Sequence, residues 1–336
     1  MNSSSNSSSG LEKWWGPGHY LITGFQAVQG SALVITNTLL LATIAYHRAL
    51  RSRKEYLIIL GVAVSDMLLG VGLVVRGTYK NYEFYSGISL LPVSRHQCVF
   101  DLSSQTFCYS MTAQGSMLLV QSVDRLLALA APIFYYTLST RIYSNTLILL
   151  FSLTAVLAVS LSVPSLGNRA PIYGTQCVPA VHLEPISFQI WNQYHTACGY
   201  VSVLLYALVM ALYRRRMKAK VQPEQADEAK VVAKARMKKQ RRFTVSMGIS
   251  CVFTLIFFVM PRVVNTLIRS QEGADLNVRV LASFLLYCTN PVFNLFIYVK
   301  RHKEVRVGLK RMLRGEELPP NFDNLTARKA HQQSKM

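Results

Sequence analysis

The sequence predicts an all-α membrane protein folded as a seven-helix transmembrane bundle. Three observations carry this. The 336-residue chain is 51% apolar and only 15% charged, where an ordinary soluble domain is about 25% charged. Its apolar residues gather in nearly uncharged blocks of about 20 residues or more, the length that crosses about 30 Å of hydrocarbon as a helix. Its basic residues are unevenly distributed between the segments joining those blocks, which fixes a topology. Six cysteines without a CxxC pair exclude a disulfide scaffold and a zinc module.

Seven apolar blocks are legible: Tyr20–Tyr46, Leu57–Tyr79, Ser104–Ala131, Asn145–Leu166, Tyr194–Tyr213, Phe243–Ile268 and Val278–Val299. Each is expected to be a helix, because lipid leaves backbone N–H and C=O groups unsatisfied unless they pair within the segment. Barrel strands would alternate in polarity over about ten residues. Runs such as Thr254–Val259 do not. No internal repeat of the transporter kind is present.

The N-terminal tail, residues 1–18, is rich in Ser and Asn and lacks the apolar core of a signal peptide. Asn2 and Asn6 each open a glycosylation sequon, which suits an extracellular tail. With that tail outside, 28 of the 36 basic residues fall on the cytoplasmic side, twelve of them between Arg214 and Arg242 and ten after Val299. The opposite orientation would place all 28 outside, against the positive-inside bias. The net charge of +20 is thereby accounted for beside anionic lipid, and no nucleic-acid partner is expected. The Arg214–Arg242 segment reads either as a partner-docking surface or as this same lipid-facing charge. The seven-helix domain is placed at 19–299. Residues 300–314 are expected to form an amphipathic helix on the membrane surface, with Val305, Leu309, Met312 and Leu313 on one face. Residues 315–336 read as a disordered cytoplasmic tail.

Ionisable residues inside a span are costly and usually functional. Asp66 lies in the second span, and Asn37, Gln114, Asn290 and Asn294 can converge on it, the last two sharing a face at a spacing of four. A carboxylate ringed by amides suits a sodium ion or a protonation switch between two packings. The same ring serves equally as a structural hydrogen-bond network. Asp124 and Arg125 stand at the inner end of the third span, where the arginine can pair with its neighbour or be released to meet a partner.

With Asn37, Asp66, Asp124-Arg125 followed by Pro132 and Tyr135, and Asn294 with Tyr298, the chain resembles the rhodopsin-like (class A) G-protein-coupled receptors over about residues 20–313. Segments such as RKEYLIILGVAVSDMLLGVG and NPVFNLFIYVKRHKEVR look most like the nematode serpentine chemoreceptor-type, Srsx-like, branch. The resemblance implies an activation switch of Asp124, Arg125, Tyr206, Pro261, Asn294 and Tyr298. It also implies an extracellular Cys98–Cys177 disulfide, although Cys98 stands about two residues early. The departures are specific. Leu126 replaces the D-R-Y tyrosine, Cys198 the fifth-span proline, and Leu295 the N-P-x-x-Y proline, which moves a turn earlier as Asn290-Pro291. The sixth-span tryptophan is absent, and Arg241-Arg242 stand where an acidic partner for the arginine is usual. These changes predict a bend near Pro291 and a resting state held by Asp124 alone, with measurable basal signalling.

Polar residues near the outer ends mark a ligand site: Arg76, Asp101, Gln105, Trp191, His195, Arg262 and Asn265. Arg262 suits either a ligand carboxylate or a lipid headgroup. His195 also suits core packing. Phe107 stands where aminergic receptors carry an aspartate, which argues against an amine. Without a lysine in the seventh span before Lys300, retinal has no attachment point. The expectation is a plasma-membrane receptor, with no enzymatic activity, for an extracellular peptide or small chemical cue. It would signal through a heterotrimeric G protein. A transporter or channel would need a polar path or a repeat, and neither is visible.

Overall fold

A computed structural model describes residues 17–87, 93–171, 177, 179–219, 252–253, 255–256, 260, 286, 288–289 and 291–319. The described residues form helices and turns with no strand element. Five long helices dominate the described residues: α1 (Pro17–Tyr46), α3 (Lys54–Tyr85), α5 (Leu102–Ala130), α7 (Thr140–Ser162) and α9 (Pro185–Ala219). Short helices join them: α2 (Arg48–Arg51), α4 (Arg95–Val99), α6 (Pro132–Thr137) and α8 (Pro179–His182). A 3-10 turn, Val163–Gly167, extends α7. The chain ends in α10 (Val292–Arg301) and α11 (Lys303–Met312). Most of the sixth span and the outer part of the seventh, with Asn2, Asn6, Cys251, Pro261, Arg262, Asn265 and Asn290, lie outside the described residues.

Among the described residues, four helices are long and apolar enough to cross a membrane: Thr23–Tyr46, Lys54–Glu83, Thr140–Gly167 and Pro185–Arg215. Helix α5 is not among them, and its place explains why. Helices α3, α7 and α9 all pack on it, so its polar side chains face protein rather than lipid. Ser116 meets Tyr194 at 2.8 Å and Ser122 meets Ser202 at 2.6 Å across the α5–α9 interface. Other hydroxyls return to the helix backbone, as Thr112 does to the Cys108 carbonyl at 2.7 Å. A central helix can carry this polarity because these hydroxyls are hydrogen-bonded within the protein.

The closest helix pair is α1 with α3, which cross through glycine. A Cβ on Gly30 would lie 2.7 Å from the Gly70 carbonyl oxygen, and one on Gly77 2.6 Å from that of Thr23. Only hydrogen fits at these positions, so the two backbones touch. Small residues commonly permit such approach in membranes, where dispersion rather than water expulsion drives helix contact.

Several helices outrun their apolar blocks. Helix α9 begins nine residues before Tyr194, because Pro185 opens it at a position where the missing N–H costs nothing. Its first turns carry Trp191 and Asn192, polar edges that hydropathy alone assigns to a loop. Helix α10 starts directly after Pro291, where the Asn294 N–H reaches the Pro291 carbonyl at 3.2 Å. Pro291 thus stands at the N-cap of this helix. The surface-helix segment expected to begin at residue 300 starts at Lys303, because extended His302 (φ −101°, ψ 102°) separates the two helices.

Candidate functional site

Asp66 sits 2% exposed in the middle of α3. The Gln114 amide donates to one carboxylate oxygen at 2.7 Å, and the Asn294 amide donates to the other at 2.7 Å. Thus α3, α5 and α10 meet at one carboxylate. Asn37 is also fully buried, but its amide N–H bonds the Leu33 carbonyl at 3.0 Å. Its carbonyl oxygen accepts nothing among the described residues. Among the described residues, Gln114 and Asn294 occupy two of the roughly four acceptor positions of the Asp66 carboxylate. No cluster of His, Cys, Asp and Glu able to hold a metal ion occurs among the described residues.

At the far end of α5, Arg125 pairs with Asp124 while both are nearly buried, at 8% and 3% exposure. Three further side chains brace this pair. Tyr143, on the first turn of α7, donates its hydroxyl to Asp124 at 2.8 Å. The Tyr135 hydroxyl on α6 accepts from Arg125 at 3.5 Å. Lys54, opening α3, donates to the Tyr135 carbonyl at 2.6 Å and sits over the Tyr135 and Tyr143 rings at 5.1 and 5.6 Å. The two rings meet edge-to-face at 6.2 Å. The expectation that Asp124 alone holds Arg125 is therefore corrected: four elements close around the pair. Sequence reading missed Lys54 and Tyr143 because no local pattern joins residues 54, 124, 135 and 143. Tyr206 and Tyr298, 4% and 1% exposed, lie in one inner apolar cluster with Leu40, Ile44 and Tyr56.

The opposite end carries the Cys98–Cys177 disulfide, with the Cα atoms 5.2 Å apart. Cys108, Cys198 and Cys288 are free and buried, as packing residues should be. Here the expected ligand residues turn out to have structural partners. Asp101 caps α5 through the Ser104 N–H at 3.2 Å and takes the Ser103 hydroxyl at 2.8 Å. Gln105 donates to the Val99 carbonyl at 2.8 Å and reaches His182 at 3.1 Å. Phe107 and Trp191 share an apolar cluster, with the indole N–H donating to Thr112 at 3.2 Å. His195 is fully buried and stacks parallel to Trp191 at 6.0 Å. Arg76 is 7% exposed and lies within electrostatic range of Asp101, Cys108 and Cys288.

His182, five residues after Cys177, escaped the sequence reading. It ties the disulfide loop to α5 and α7. The Ser104 hydroxyl donates to the Cys177 carbonyl at 2.6 Å, so His182 Nδ1–H must donate to Ser104 at 3.0 Å. Nε2 then accepts from Gln105 at 3.1 Å and lies 3.1 Å from the Ser162 hydroxyl, which donates to the Ala158 carbonyl at 3.0 Å. Burial disfavours the charged ring and pushes its pKa down to about 4 from 6.5. A histidine with a depressed folded pKa contributes stability that is complete above 6.5 and is lost as pH falls toward 4. A melt in nanodiscs should therefore drop between pH 6.5 and 4, by about 3 kcal/mol in total at 1.36 kcal/mol per unit. The drop should vanish in His182→Gln; an equal drop in that variant would assign it to another group.

The chain matches the family model described as serpentine type 7TM GPCR chemoreceptor Srsx over residues 33–313. No curated protein matches it. The matched stretch spans the Asp66 network, the Asp124–Arg125 pair with its braces, and the disulfide. This chain belongs to the Srsx family of serpentine seven-transmembrane chemoreceptors.

Proposed function

We propose that the chain is a plasma-membrane receptor that converts binding of an extracellular peptide or small chemical cue into nucleotide exchange on a heterotrimeric G protein. The observation that carries this reading is the buried Asp124–Arg125 pair beside an exposed apolar step. On α6, Ile133 and Phe134 are 83% and 56% exposed at the same end of the bundle. Basic charge concentrates at that end, which supports a cytoplasmic position. The disulfide and the glycosylation sequons then face outward, where oxidising conditions keep the bridge intact. Helix α11 lies along the inner membrane surface, and lipid covers the outer faces of α1, α7 and α9.

In the resting packing Arg125 is occupied by Asp124, so the cleft offers a partner no free guanidinium. A ligand that binds the open packing more tightly shifts the population toward it. The Asp66 network spans the helices that must slide, so its hydrogen bonds set part of the energy gap between the packings. A sodium ion beside Asp66 would add to the gap by favouring the closed form. The ligand contacts proposed among the described residues are Arg76 on α3, Phe107 on α5, and Trp191 and His195 on α9.

The test is nucleotide exchange on a panel of Gα subunits in membranes, comparing wild type with Arg125→Ala at equal surface expression. Exchange above empty vector that falls in the variant is the expected result. Exchange that is identical in both would remove Arg125 from the mechanism and, with it, this reading.

A further inference from the structure

The chain does not leave the protein where α11 stops. Gly315 takes φ +72°, a conformation that favours glycine. The Glu316 N–H returns to the Arg311 carbonyl at 2.9 Å and the Gly315 N–H to the Met312 carbonyl at 3.0 Å. This paired closure reverses the chain direction. Arg311 then donates to the Glu317 carbonyl at 3.0 Å, and Tyr46 donates to the Gly315 carbonyl at 3.0 Å. The expectation that residues from 315 onward form a free tail is corrected here: the fold continues to residue 319.

His47, between α1 and α2, is fully buried and holds this return. The Leu318 N–H donates to its Nδ1 at 3.1 Å, so Nδ1 carries no proton. Nε2–H therefore donates to the Gly308 carbonyl at 2.8 Å. One neutral imidazole thus joins the foot of α1 to α11 and to the returning strand. The fit is close, since a Cβ on Gly308 would stand 3.0 Å from the His47 ring and 3.2 Å from Leu318. Leu318 is 5% exposed and belongs to the same apolar cluster as Tyr206 and Tyr298. An apolar side chain from beyond the last helix therefore packs into the group of residues whose rearrangement opens the cleft.

We propose that Gly315–Leu318 is a latch. It ties the C-terminal tail to the foot of α1 through His47, and by seating Leu318 in the Tyr206–Tyr298 cluster it favours the closed packing. Opening must either carry Leu318 along or expel it, so an agent that draws the tail away lowers the work of opening. The direction of regulation rests on the proposed receptor function; the latch itself does not.

The test uses the full chain in nanodiscs with a nitroxide at Pro319→Cys, and separately a label pair at Thr137→Cys on α6 and Lys300→Cys on α10. The wild-type tail label should be immobilised. Leu318→Ser, a change beyond the last helix, should mobilise it and lengthen the Thr137–Lys300 distance. His47→Leu should do the same, and the double variant should do no more than either alone. Basal exchange should rise about threefold or more, the scale of one lost contact. A tail label that stays immobile in Leu318→Ser overturns the latch. A mobile tail with an unchanged distance overturns its hold on the closed packing. A lengthened distance without exchange on any Gα leaves the latch standing and defeats the proposed function instead.

Discussion

Replacing Tyr143 with phenylalanine should raise basal nucleotide exchange about tenfold, to or near the ceiling set by the coupled Gα. The hydroxyl is one of the groups that hold Asp124, at 2.8 Å in a nearly buried setting. A hydrogen bond to a charged group contributes about 1.5–3 kcal/mol, and each 1.4 kcal/mol is tenfold in an equilibrium. Phenylalanine keeps the ring that packs on Tyr135 and lies beneath Lys54, so the change isolates the hydrogen bond from the packing. Lys54→Met should act in the same direction, because the amine fixes Tyr135 and through it the position of Arg125. Exchange that is unchanged in Tyr143→Phe at wild-type surface expression would mean that the brace is structural and Asp124 needs no help. The measurement also revises the expectation of a leaky receptor. A pair held from α3, α6 and α7 should be quieter than one held by Asp124 alone.

Substitutions at Asp66 should separate its charge from its hydrogen bonds. In Asp66→Ala the amides of Gln114 and Asn294 lose their shared acceptor inside the bundle. A buried donor left unpaired costs about 1–3 kcal/mol, so two such donors should lower the melting temperature and surface expression together. Asp66→Asn is different. Its carbonyl still accepts from Gln114, and Asn294 can rotate its amide to accept from the new NH2 group, so both hydrogen bonds survive without the charge. Near-normal expression of Asp66→Asn is therefore expected. Its signalling then decides between the roles the sequence left open. Wild-type dependence of ligand response on sodium that disappears in Asp66→Asn assigns a cation or charge role. An unaltered response with unaltered sodium dependence assigns Asp66 to structure alone.

The sequence alone determined the class of the protein. Long uncharged blocks require helices in lipid, and the distribution of lysine and arginine gives their expected orientation; neither inference needs a tertiary contact. A proline removes a backbone donor wherever it stands, and α10 begins directly after Pro291. Asp66, Gln114 and Asn294 were legible as a group because an ionisable residue in lipid must find polar partners. The Asp124–Arg125 pair was legible because its members are adjacent in sequence.

The tertiary structure decided what spacing does not encode. Lys54, Tyr135 and Tyr143 come from three separate elements, and only the crossing of α3, α6 and α7 brings them to one carboxylate–guanidinium pair. Hydropathy undervalued α5, since a polar helix is costly in lipid but not inside a ring of other helices. Asp101 and Gln105 looked like ligand contacts because outer polar residues near a span end are often free. Here the first turn of α5 takes up the hydrogen bonds of Asp101, and Val99 and His182 take up those of Gln105. Leu318 read as part of a solvated tail because its neighbours are polar. Its burial depends on a glycine turn and on a histidine 271 positions earlier. Periodicity records how one segment meets its surroundings. Which donor reaches which acceptor across the bundle is fixed by the packing of all segments at once.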